Sequence, residues 1–134
     1  MPNFLAPRME VDQADLRRVI LEALPEFGLD NAWGKPMIVS EVGAGALQGK
    51  RGADDEAWTE DLQARIYEAE IAMLLTNAPP VAGISPWILK DFRAPYRLNT
   101  ESQSYWNRKG LVGIDGQPKL AYDVLRRLYE DHQG

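Results

Sequence analysis

Glu41 stands where an acid is unexpected. It follows the apolar run Met37-Ile38-Val39 and precedes a loop holding four glycines, Gly43, Gly45, Gly49 and Gly52. A carboxylate at the end of a buried apolar strand is costly unless it is paired or solvated in a cleft. The C-terminal ends of parallel strands are where α/β folds place their sites. Strand, glycine loop and helix in that order suit two chemistries. One is a cradle for phosphate; the other is a barrel hydrolase presenting a catalytic acid.

Spacing removes the cradle. The P-loop needs G-x-x-x-x-G-K-[ST]. Here Gly49-Lys50 is followed by Arg51, and Ala44 stands five positions before Gly49. The dinucleotide pattern G-x-G-x-x-G fails as well, because Gln48 occupies the place of the third glycine after Gly43-Ala44-Gly45. The glycines read as a flexible exit from a strand. Glu41 stays open between a site acid and an ordinary loop glutamate.

Two further clusters carry chemistry. In "VAGISPWILKDFR", Trp87 closes a second apolar run. A tryptophan at the mouth of a sheet is a flat platform for a sugar ring, or it packs in the core. Asp91 and Arg93 follow and read as an exposed pair of little energetic weight. In "SYWNRKGL", Tyr105, Trp106, Asn107, Arg108 and Lys109 come together. The Asn107 amide and the Lys109 ammonium suit a carboxylate or sugar hydroxyls; a solvated loop is the alternative.

The elements that must position these residues follow from periodicity. Residues 1–11 read as an extended lead-in, and Asp12 or Asp15 as a cap. Leu16, Val19, Ile20, Ala23 and Leu24 form one helical face, which Pro25 ends, with Gly28 in the turn beyond. Met37–Val39 suits a strand buried on both faces. Asp54, Asp55 and Glu56 lie before or in a first helical turn, and Trp58, Leu62, Ile66, Ala69 and Met73 mark that helix's face. Val81–Leu89 is the second strand, Lys90–Gly116 a long irregular stretch, and Pro118 starts a last helix with Ala121, Val124, Leu125 and Leu128 inward. Residues 130–134 read as a polar tail, with His132 exposed in it.

The order α-β-α-β-α over residues 1–134 implies one domain with a parallel sheet and helices outside. Only two strands are convincing, and a lone pair is marginal in water. The sheet is therefore expected to be completed by more of a larger barrel or by another copy of the chain.

Composition narrows the partners. With 15 Lys and Arg against 20 Asp and Glu, the net charge is −5, which argues against nucleic acid. The chain has no cysteine, so disulfides and thiolate metal sites are excluded, and a reducing, cytoplasmic location fits. No apolar run reaches the roughly 18 residues of a membrane span, and "MPNFLAPRMEVDQ" lacks the form of a signal peptide. No cofactor or metal site is read from the residues.

Three ordered motifs carry a resemblance. "KPMIVSEVGAG" resembles the nucleophile segment of glycoside hydrolase family 2, "GISPWILKDFR" that family's last barrel strand, and "WNRKGLVGIDGQPKLAYDVLRRLY" the segment that closes its barrel. The likeness runs from about Asp15 to Tyr129. It implies an α/β fold, roughly the last quarter of a (β/α)8 TIM barrel, of the β-glucuronidase or β-galactosidase type. It implies a carbohydrate substrate, a retaining mechanism with Glu41 as nucleophile, and Trp87 lining the sugar subsite. Asn107 and Lys109 would contact a substrate carboxylate, which favours a uronic acid.

The sequence also departs from the family. Val42 stands where an aromatic residue is usual, and Ile88 where many glucuronidases have Asn. The acid/base Glu of the family follows an Asn, and this chain has no Asn-Glu dipeptide. A full barrel takes about 250 residues. The implied activity therefore needs a complementing barrel portion. The alternative is a non-catalytic remnant that binds sugar or assembles with copies of itself.

Overall fold

The computed structural model describes residues 36–53, 55–76, 81–97 and 101–133. The lead-in and the first helical face, Leu16 to Leu24, lie outside the described residues. So do Pro25 and Gly28.

Two strands pair in parallel, as the apolar runs imply. β1 (Ile38–Val42) lies beside β2 (Gly83–Pro86), with Ile38 opposite Gly83, Val39 opposite Ile84 and Val42 opposite Pro86. Between the last two pairs β1 uses one residue more than β2. Side chains alternate along a strand, so an extra residue resets which face comes next. Val39 and Val42 are both half-buried, while Ser40 and Glu41 are both exposed. In a straight strand Glu41 would share the face of Val39; the bulge turns it out.

β1 is not buried on both faces, as its composition implies. Ile38 is 68% exposed. Among the described residues only β2 pairs with β1, and the helices cover one face.

Helix α1 (Glu60–Thr76) begins later than the acids Asp55 and Glu56 suggest. Thr59 is the reason. Its hydroxyl accepts the Leu62 N–H at 3.1 Å, which satisfies one of the free donors of the first turn. Arg51 grips Asp61 with two hydrogen bonds of 2.8 Å and ties the glycine loop to that turn. The buried stripe is Gln63, Tyr67, Ile71 and Leu74, together with Met73. The expected face is displaced: Leu62, Ile66 and Ala69 are only half-buried. This helix is apolar on more than one side, and a polar residue wins a core place. The Gln63 amide donates to the Ala44 carbonyl at 2.9 Å and to the Gly110 carbonyl at 3.1 Å. Trp58 lies before the helix at φ 65°, with its ring against Gly45.

Helix α2 (Leu120–His132) buries Ala121, Leu125 and Leu128, the face that periodicity marks. It starts two residues after Pro118 and absorbs residues 130–132, expected to be tail. The His132 Nδ1 is 2.7 Å from the Leu128 carbonyl, which can only accept, so Nδ1 donates. The first turn takes its cap from across the fold: Glu60 Oε1 accepts the Leu120 N–H at 2.8 Å. The same carboxylate accepts the Gly49 N–H through Oε2 at 2.6 Å.

The stretch from Lys90 to Gly116 is not wholly irregular. β3 (Phe92–Arg93) and β4 (Trp106–Asn107) pair antiparallel, with Phe92 opposite Asn107 and Arg93 opposite Trp106. The core sits between α1, α2 and the parallel pair. It is built on Tyr67, Ile71, Leu111, Ala121, Leu125 and Leu128, with Val42 and Ile84 packed against it. The result is a mixed α/β fold whose described part has two helices, one parallel pair and one short antiparallel pair.

Candidate functional site

The C-terminal ends of β1 and β2 place Glu41 and Trp87 on neighbouring segments. The Trp87 N–H donates to the Val42 carbonyl at 2.8 Å. Gly43 follows at φ 141°, a conformation that suits glycine, and an added Cβ there would collide with the Tyr67 hydroxyl. The exit loop thus turns over a buried tyrosine. Ala44 and Ala46 are buried in it.

Trp87 is 38% exposed. Phe92 holds the ring edge-on, with centroids 6.4 Å apart and planes at 83°. The peptide between Trp87 and Ile88 is cis. The next residue joins the third segment. The Ile88 N–H donates to the Lys109 carbonyl at 3.2 Å, and the Ile88 carbonyl accepts the Leu111 N–H at 2.9 Å.

Asn107 and Lys109 form a local turn. The Asn107 Oδ1 accepts the Lys109 N–H at 3.0 Å. This is an Asx turn, which commits the Asn107 Oδ1 and leaves the amide NH2 as its donor. Asn107 is 1% exposed, whereas Lys109 is half-buried. Of the two, Lys109 is the one open to a ligand.

The structure therefore brings all four sequence-expected residues onto three adjoining segments. Asp91 and Arg93 do not pair. Asp91 is buried and bonded to Lys119 Nζ at 2.9 Å, with both side chains fully covered. Arg93 lies over the Trp106 ring at 5.5 Å from its centroid, and Arg108 lies over the same ring at 5.6 Å. Two guanidinium groups on one indole make a cationic, aromatic rim beside the Asn107 turn.

Burial dominates the electrostatics. It pushes the Asp91 carboxyl up and the Lys119 ammonium down, and each opposes the other's shift as a counter-charge. Burial also raises Glu70 to about 7 and lifts the Tyr67 phenol above its ordinary value.

Sequence reasoning missed Asp91, Lys119 and Glu60 as organising residues. One signal was available. Lys119 precedes a helix, where the dipole disfavours a cation, so a nearby acid was required. Among the described residues no group of three His, Cys, Asp or Glu side chains could hold a metal. No described helix is long and apolar enough to cross a membrane.

An exposed carboxylate, a partly exposed indole and a half-buried lysine on three adjoining segments suit a ring with hydroxyls and a negative charge. No family model matches this sequence, and no curated protein does. Solved structures do share its fold. A glycoside hydrolase family 2 β-galacturonidase from Eisenbergiella tayi, bound to galacturonate, aligns at TM-score 0.68 and 24% identity over 91% of this chain and 21% of its own. The Bifidobacterium dentium β-glucuronidase complexed with coumarin-3-O-glucuronide aligns at 0.73 and 24% over 92% of this chain and 18% of its own. The Faecalibacterium prausnitzii β-glucuronidase aligns at 0.71 and 23% over 92% and 20%. The chain spans about a fifth of the length of these structures. Within that fifth, its fold is the fold of the uronide-cleaving glycosidases.

Proposed function

We propose that the chain is the C-terminal quarter of a family 2 glycosidase barrel and carries the nucleophile of an O-glycosyl hydrolase. One observation bears most of the weight: the β1 bulge leaves Glu41 exposed at the strand's C-terminal end, on a segment bonded to the Trp87 backbone, which in turn bonds through Ile88 to the Lys109 turn. In this reading the Glu41 carboxylate attacks the anomeric carbon as the bond to the leaving oxygen breaks. A covalent glycosyl-enzyme forms, and water then releases the sugar. The leaving oxygen takes its proton from a second carboxyl about 5–5.5 Å from the first. That acid comes from a complementing portion of the barrel.

The sugar ring stacks on Trp87. Lys109 grips a uronate carboxylate, and Asn107, which holds the Lys109 backbone through its Oδ1, offers its amide to the same group. A β-glucuronide or β-galacturonide thus fits the donors better than a neutral β-galactoside. The protein works in the cytoplasm in this reading. Its exposed Ile38 edge is covered by the rest of a barrel or by a second copy.

The test is complementation. Mixing the chain with the N-terminal portion of a glucuronidase barrel is expected to yield cleavage of an aryl β-glucuronide, and Glu41→Gln is expected to abolish it. An active Glu41→Gln complex overturns the assignment.

A further inference from the structure

One buried ammonium touches every segment of the candidate site. Lys119 Nζ has three protons to donate. One goes to the Ala46 carbonyl at 2.8 Å, in the loop that leaves Glu41. One goes to Asp91 Oδ1 at 2.9 Å, in the stretch that follows Trp87. One goes to the Arg108 carbonyl at 3.2 Å, inside the Asn107–Lys109 turn. The pattern is closed from the other side. Asp91 Oδ1 also accepts the Gly110 N–H at 2.8 Å, and the Asp91 N–H donates to the Val112 carbonyl at 3.0 Å. The Lys119 backbone N–H donates to the Leu111 carbonyl at 2.8 Å. Gly110 fits only because it has no side chain, since a Cβ there would overlap the Asp91 backbone.

The ion pair alone does not explain the site, since apolar side chains often replace a buried pair at no loss. Here they would also strand the Ala46 carbonyl and the Gly110 N–H, so the weight lies in the bonds to the backbone. What an ammonium supplies that a methyl cannot is direction: three hydrogen bonds to three chain segments from one point. Each segment carries one of the residues assigned to the sugar.

We infer that Lys119, held by Asp91, is the positioning residue of the site: its three bonds fix Glu41, Trp87 and Lys109 relative to one another. What those residues then do rests on the glycosidase reading; the clasp itself does not. Lys119 touches no substrate and acts only through the segments it holds.

Native-state hydrogen exchange tests this on the chain as it stands. The Ala46, Ile88 and Leu111 amides lie on the three segments, and none bonds to Lys119 or Asp91 side chains. They are expected to open as one unit, with the same denaturant dependence. Three separate openings would overturn the clasp. In the double variant Asp91→Leu/Lys119→Met these amides are expected to exchange at least tenfold faster, while the Ile71 and Leu125 amides stay within twofold. Equal acceleration of all amides, or of none, would reduce the pair to a packing role. Should the double variant fail to fold, Lys119→Gln is expected to accelerate the same three amides, and unchanged exchange there overturns the clasp, since direct backbone bonds also join the segments. Titration with glucuronate, followed by tryptophan fluorescence, adds the functional arm. Wild type is expected to saturate and the double variant to bind at least tenfold more weakly. A wild type that ignores glucuronate sinks the glycosidase reading, and the exchange data still settle the clasp.

Discussion

Gly43 and Tyr67 are closely opposed, and a Cβ at residue 43 would meet the tyrosine hydroxyl. Gly43→Ala strains a positive φ and pushes on the tyrosine ring, so a loss of about 1–3 kcal/mol is expected in urea denaturation. The Tyr67 hydroxyl is buried without a hydrogen-bond partner among the described residues. Tyr67→Phe therefore removes an unmet polar group and is expected to stabilise by about 1 kcal/mol. The double variant should recover part of the Gly43→Ala loss, because the two positions touch. Strict additivity would show that the hydroxyl is not what the new methyl meets.

Glu70 gives a pH dependence with a definite sign. Burial raises its folded pKa from 4.5 to about 7, and its Oε2 has no partner among the described residues. The folded state then holds a proton that the unfolded state has lost. Stability is expected to fall as pH rises from about 4.5 to 7 and to level off beyond, by about 2 kcal/mol once partial exposure is allowed for. Glu70→Gln should abolish that slope, raising Tm at pH 8 and leaving it unchanged at pH 4. Equal effects at both values would contradict the assignment.

At the scale of elements, each helix rests on a different kind of support. α1 has a local cap, so Thr59→Ala is expected to cost about 1 kcal/mol by thermal melting. α2 has none, since Lys119 turns its side chain inward and Glu60 caps from another helix. Its stability comes from packing, and Leu125→Ala is expected to cost about 2–5 kcal/mol by the same measurement. A cost below 1 kcal/mol would mean that the site collapses around the smaller side chain.

Legibility followed the same division. The face of α2 was plain because its apolar residues recur on one side only. That of α1 was not, because Leu62 and Ile66 compete with a buried stripe that includes Gln63. No propensity announces a glutamine chosen for two hydrogen bonds to distant carbonyls. The parallel strands were visible as apolar runs. The antiparallel pair was not, because two-residue strands are too short to show alternation. Glu41, Trp87, Asn107 and Lys109 were legible as types at a mouth or turn, and they lie on three adjoining segments. Asp91 was misread because its partner lies 28 positions away, while Arg93 stands close at hand.

At the scale of the whole molecule, the sheet is the open question that solution work answers. Ile38 in β1 and Leu89 in the loop after β2 are 68% and 64% exposed, and exposed apolar surface of this kind invites association. Light scattering on the isolated chain is expected to show association that grows with concentration, and added N-terminal barrel portion is expected to displace it. A sharp, well-folded monomer at every concentration would show that the edge needs no cover.

The burial of Lys119 has a use outside binding and catalysis. An amine-reactive reagent meets the exposed Lys90 at once, yet Lys119 has no accessible surface on its side chain. Acylation at Lys119 therefore records only molecules that have come apart around it. Mass spectrometry of the two peptides after a timed pulse would turn that one lysine into a clock for opening, read without any label introduced by mutation.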